Sequence, residues 1–127
     1  MSEGLGARID EHRVLISRVR GCLVASIRED LDASRLAAFR DDLLGAVRTF
    51  SARAVVLDLS GLALLDLHDF TALRRTIAMA ELLGARAVLV GLSPPLIMAL
   101  LAQGADVAGL VGERSLEDAL DRALGGA

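Results

Sequence analysis

Between residues 54 and 91 the chain alternates two kinds of pattern. A short run that is apolar almost throughout (AVVLDLS, 54–60) gives way to a helical pattern from about 66 to 83, and RAVLVG (86–91) follows. No other feature constrains the fold as much. A strand with one wetted face alternates apolar and polar residues, whereas a strand covered on both faces reads as a continuous apolar run. Two such runs joined by a helix predict a right-handed crossover between parallel strands. Helices must then lie on both faces of the sheet, which places the chain in the α/β class.

The flanking segments extend this reading. VLISRV (14–19) and CLVASI (22–27) are separated only by Arg20 and Gly21, which predicts two strands joined by a tight turn and adds an antiparallel component. EDLDASRL opens a helix with Asp32 as its N-cap. Leu36, Phe39, Leu43, Val47 and Phe50 then recur at three- or four-residue steps. Gly84 ends the helix that follows AVVLDLS. Ser93 caps a further helix, with Pro94 at its first position and Gly104 just past its end. DVAGLV (106–111) is a candidate short fifth strand. Ser115 caps the last helix, with Glu117 and Asp118 suited to its first turn, a buried stripe of Leu116, Ala119, Leu120 and Ala123, and Gly125 at its end. The expectation is one α/β domain over residues 1–127, with a mixed β-sheet of four to five strands and about four α-helices. Residues 1–13 form a polar lead-in, and no linker, repeat or low-complexity segment interrupts the chain.

Several function classes are disfavoured. Residues 87–105 carry no charge and approach the ~20 residues of a spanning helix, but Gly91 and the SPP turn split them into a buried strand and a buried helix. The charged N-terminal residues do not read as a signal peptide, and the lone Cys22 excludes an internal disulfide and suits a reducing compartment. A net charge of −3 and the absence of Trp and Tyr argue against nucleic acid. His12 and His68 are the only histidines, and no metal-ligand spacing, phosphate loop or G-x-S-x-G context is present, so neither an enzyme, a metal nor a cofactor is expected. With 54% hydrophobic residues and a mean hydropathy of +0.51, this small chain is expected to bury apolar surface against another chain.

What remains is the corner DLSGLALLDLHDF (58–70), where the third strand meets the second helix. Asp66 suits the N-cap, and Leu67, His68 and Asp69 then occupy the first three helical positions; capping alone accounts for both aspartates. His68 is expected to be solvated. Phe70, Leu73, Ile77 and Ala80 form the inward stripe. Leu67, Thr71, Arg74 and Ala78, continued by Leu82, form a neighbouring stripe that either faces a partner or flanks the core. Thr71 lies one turn after Leu67, where a hydroxyl can bond back to a carbonyl, and Ser60 reads as a turn residue.

The hairpin VLISRVRGCLVASI, the helix RLAAFRDDLL, the strand AVVLDLSGL, the corner LLD and the stretch LLGARAVLVGLSPPL together resemble the STAS domain family, the anti-sigma-factor antagonist fold. The likeness runs from about Val14 into the last helix. CLVASI and FRDDLL bring it nearest to RsbS-type stressosome scaffold proteins. The resemblance implies a non-enzymatic cytoplasmic binding module that forms homo- or hetero-oligomers with sister STAS proteins. It also implies a serine/threonine switch kinase or anti-sigma factor as partner, with no role for nucleic acid or membrane.

In typical members a Ser or Thr follows the aspartate at the start of the second helix and accepts phosphate. Here Asp66 matches that aspartate and Leu67 stands at the acceptor position. A phosphate adds about −1.5 to −2 charges; beside Asp66 and Asp69 that charge would repel and would spoil an apolar docking surface. Leucine excludes the modification. The expected partner-binding residues are Asp66, Leu67, His68, Asp69, Thr71 and Arg74, with Thr71 and Ser60 as alternative acceptors. A rival expectation is a sensor that binds a nucleotide or other small ligand on the backbone N–H groups of Leu67, His68 and Asp69, against the opposing charge of Asp66 and Asp69.

Overall fold

The computed structural model describes residues 14–28 and 32–125. The polar lead-in with His12, the first residues of EDLDASRL and the last two residues lie outside the described part. Five strands form one sheet in the order β1-β2-β3-β4-β5: β1 Val14–Val19, β2 Cys22–Ile27, β3 Ala54–Asp58, β4 Arg86–Val90 and β5 Gly112–Glu113. β1 and β2 are antiparallel, and each later neighbour is parallel. Among the described residues four helices accompany them: α1 Ala33–Phe50, α2 Leu67–Leu82, α3 Pro94–Ala102 and α4 Leu116–Gly125.

Strand alternation divides the core in two. Leu23, Ala25 and Ile27 of β2 and Val55 and Leu57 of β3 meet Leu36, Phe39 and Leu43 of α1, Phe70, Leu73 and Ile77 of α2, and Leu96 and Leu100 of α3. On the other face Cys22, Val24, Val56, Val88 and Val90 meet only Ala119, Leu120 and Ala123 of α4. Both faces of β3 are therefore dry, as the continuous apolar run requires.

The predicted caps are local and form as expected. Asp32 accepts from the Arg35 amide at 2.9 Å, Ser93 from the Leu96 amide at 3.3 Å, and Ser115 from the Asp118 amide at 3.1 Å. Phe50 is half-buried at the end of α1, with the Arg18 guanidinium 4.3 Å above its ring centre.

Two expectations are corrected. The fifth strand is not DVAGLV but the two residues after it, because 106–110 closes into a turn. There the Asp106 carboxylate accepts from the Ala108 amide at 3.0 Å and the Val107 carbonyl from the Leu110 amide at 3.2 Å. Leu116 does not join the α4 stripe: it sits at the first position of the helix and is exposed, while Ala119, Leu120 and Ala123 supply the helix's share of the core.

Among the described residues no helix is long and apolar enough to cross a membrane. Large apolar side chains nevertheless remain in solvent, notably Leu82, Leu64 and Met98.

Candidate functional site

The corner lies at the C-terminal ends of β2, β3 and β4, where loops interlock. Asp58 closes β3 and accepts from the Ser60 amide at 3.0 Å and from the Ser60 hydroxyl. Two glycines allow the loops to touch. A Cβ on Gly61 would lie 2.7 Å from the Arg28 Cα, and one on Gly91, whose φ is +86°, would lie 2.5 Å from the Ser60 Cβ. Neither site has room for a side chain. The chain then passes buried Leu65 and enters α2.

Asp66 is the N-cap of α2: its carboxylate accepts from the Asp69 amide at 2.8 Å and its carbonyl from the Phe70 amide at 2.9 Å. The Leu67 amide is bound from outside the helix, donating to Oε1 of Gln103 at 3.2 Å. Gln103 is the C-cap of α3 and donates its own Nε2 to the Ala99 carbonyl at 3.1 Å. Two of the first three helical amides are thus taken by protein acceptors.

The side chain of Leu67 is half-buried, neither sealed in the core nor fully in solvent. His68 is exposed and Asp69 half-buried. Thr71 is half-buried and donates its hydroxyl to the Leu67 carbonyl at 2.8 Å. Arg74 is drawn sideways: it donates to the Ala108 carbonyl at 3.1 Å and lies 3.9 Å from the Asp106 carboxylate. It braces the 106–110 turn against α2. The corner therefore brings Asp66, Leu67, His68, Asp69 and Thr71 together, holds the exposed Ser60 on the Asp58 carboxylate, and ties Arg74 to a neighbouring loop.

Beside these residues is an apolar hollow of about 350 Å³ lined by Ile27, Leu36, Leu62, Leu64, Leu65 and Leu73, with Asp66 and Asp69 at its rim. Leu64 is 71% exposed at its mouth. Sequence reasoning passed over Leu64, although an exposed-loop leucine two residues before an N-cap is an available signal. It also passed over Gln103, for which no local signal exists, since its partner amide is 36 residues away. Among the described residues no group of three or more His, Cys, Asp or Glu is placed to hold a metal ion. The arrangement presents a neutral, partly apolar helix terminus with two carboxylates beside it and a greasy depression next to them.

Comparison with known proteins places the fold. The STAS domain family model matches residues 13–119. A serine-to-glutamate variant of RsbS from Moorella thermoacetica is 31% identical, with 89% of this chain and 96% of that chain covered and a TM-score of 0.78. A structure described as the molecular architecture of the stressosome, a signal integration and transduction hub, aligns at 24% identity over 87% and 96% of the two chains, with a TM-score of 0.72. The anti-sigma factor antagonist SpoIIAA in its unphosphorylated form aligns at 16% identity over 90% and 98%, with a TM-score of 0.70. The last two likenesses bear on fold alone. None of the curated proteins matches the chain.

Proposed function

The chain belongs to the STAS domain family, and from that premise we propose that it is a non-enzymatic scaffold of a stressosome-like or partner-switching pathway, working in the cytoplasm and docking through the α2 corner without a phosphorylation switch. The observation that carries this reading is the half-buried Leu67 directly after the Asp66 cap. A partner that covers it gains apolar burial worth about 1–2 kcal/mol, the exposed remainder of a leucine. The neighbouring hollow accepts an apolar anchor, while Asp66 and Asp69 at its rim favour basic residues flanking that anchor. The partners expected are sister STAS proteins and a serine/threonine kinase or anti-sigma factor. The RsbS relative supports the scaffold side of this role.

The hydroxyls near Leu67 support the unswitched state. Thr71 is committed to the Leu67 carbonyl and Ser60 to Asp58. Incubation with the cognate kinase and ATP is expected to leave the chain unmodified, while Leu67→Ser gains one phosphate. Phosphate on Thr71, Ser60 or any residue of the first two turns of α2 in the natural chain overturns the unswitched reading. Leu67→Asp is expected to weaken partner binding at least about tenfold, because it places a third carboxylate in the contact.

The hollow also favours a second reading, a small-ligand sensor, by its size and apolar lining. The helix terminus itself speaks against an anionic ligand there, since the Leu67 and Asp69 amides already have acceptors. Calorimetry with nucleotides separates the readings: micromolar binding without a protein partner favours the sensor.

A further inference from the structure

The lead-in of residues 1–13 joins the fold at the same end of the sheet as the α2 corner. β1 runs antiparallel to β2, so its first residue, Val14, pairs with Ile27, the last residue of β2. Ile27 is also a wall of the apolar hollow of about 350 Å³ beside Asp66. We propose that this hollow is the docking site of the chain's own N-terminal segment, with Leu5 and Ile9 as its anchors.

The hollow offers apolar surface that the described residues leave uncovered. Leucines line it from α1, from α2 and from the loop before α2, and Leu64 is left 71% exposed. An apolar group seated there removes both Leu64 and itself from water. The tether reaches. Residues paired across a sheet lie about 5 Å apart, so the segment leaves the fold next to a wall of its site. An extended chain advances ~3.3 Å per residue. Ile9 is five residues before Val14 and Leu5 nine, which gives them ranges of up to about 16 Å and about 30 Å.

The segment's own pattern matches the site. In MSEGLGARIDEHR, Leu5 and Ile9 stand four residues apart. At helical spacing Arg8 and His12 fall on their side, whereas Glu3, Asp10 and Glu11 fall on the other. Apolar anchors with a basic flank thus meet an apolar hollow with the Asp66 carboxylate at its rim. Gly4 and Gly6 weigh against that helix in isolation, so docking has to complete it. A weak contact suffices for this, because a short flexible tether supplies an effective concentration on the order of millimolar. A second copy or a separate protein has no such advantage. A partner that uses the α2 corner has to displace the segment first. That consequence rests on the docking role proposed above, whereas the intramolecular contact does not.

The test is methyl NMR on the full chain with no partner present, so its outcome is separate from that of the docking role. Nuclear Overhauser contacts are expected from the Ile9 methyls to those of Leu64 or Leu73, unchanged when the protein is diluted about tenfold. The double substitution Leu5→Ser and Ile9→Ser touches no residue of either core cluster. It is expected to shift the methyl signals of Leu62, Leu64 and Leu65 while Val56 and Val88, on the other face of the sheet, stay in place. Arg8→Glu is expected to shift the same leucine signals in the same direction by a smaller amount. The proposal is overturned by absence of the Ile9 contacts, by leucine signals that the double substitution leaves unchanged, or by contacts that fade on dilution, which would make a second copy the occupant.

Discussion

The two ends of the parallel strands solve different problems. At the C-terminal end the loops interlock, with Gly91 against Ser60 and Gly61 against Arg28 leaving no space for a Cβ. Carboxylates cap amides there, Asp58 that of Ser60 and Asp66 that of Asp69, and Leu64 stands exposed beside them. At the N-terminal end Gly21 is in the left-handed region too, but a Cβ there would meet nothing within 4 Å. That end is open and lined with arginine. In open parallel sheets the C-terminal end is the usual place for a site. The contrast teaches that one end is made rigid by contact, so that a helix terminus is presented in a fixed pose, while the other is held mainly by turn conformation.

The sharpest way to break this comparison is Gly91→Ala. It combines an overlap with Ser60 and an unfavourable φ, so the expected loss is about 2–5 kcal/mol in denaturant unfolding. Gly21→Ala meets only the conformational cost, which the same measurement should find at about 1–2 kcal/mol. Equal losses at the two sites would remove the distinction between a packed and an open end. Next in size is Asp66→Ala, expected to cost about 1 kcal/mol through the lost cap, with Asp66→Asn largely retaining it. Stability measured on both variants separates capping from charge. The smallest effect concerns Cys22, the first residue of β2, close to Arg20. It is 1% exposed; burial pushes its thiol up, and the nearby Arg20 guanidinium only partly opposes this. The folded chain should therefore resist alkylation near neutral pH, with labelling that follows the unfolded fraction as denaturant is added. Rapid labelling in buffer would mean that the N-terminal end opens far more than its packing implies.

Which parts of this were legible beforehand depends on how far each interaction reaches along the chain. The caps at Asp32, Asp66, Ser93 and Ser115 bond a backbone amide three residues on, so a short window contains both partners. The inward stripe of α2, Phe70, Leu73, Ile77 and Ala80, is buried as its spacing requires. The fifth strand was misplaced because two residues of pairing are decided by Leu89 and Val90, far back in the sequence, while the apolar letters of DVAGLV were absorbed by an aspartate-led turn. Arg74 lay on a stripe that could face a partner, yet the turn at 106–110 captures it.

The sequence by itself determined the βαβ alternation, the tight hairpin, the helix starts and the apolar residue after the Asp66 cap. These rest on local backbone chemistry and on the period with which apolar side chains recur. Tertiary structure decided how far Leu67 is covered, that Gln103 occupies its amide, and that Gly61 and Gly91 must be bare. Those outcomes arise where segments distant in sequence compete for the same space and the same hydrogen-bond donors, and only the packed chain settles that competition.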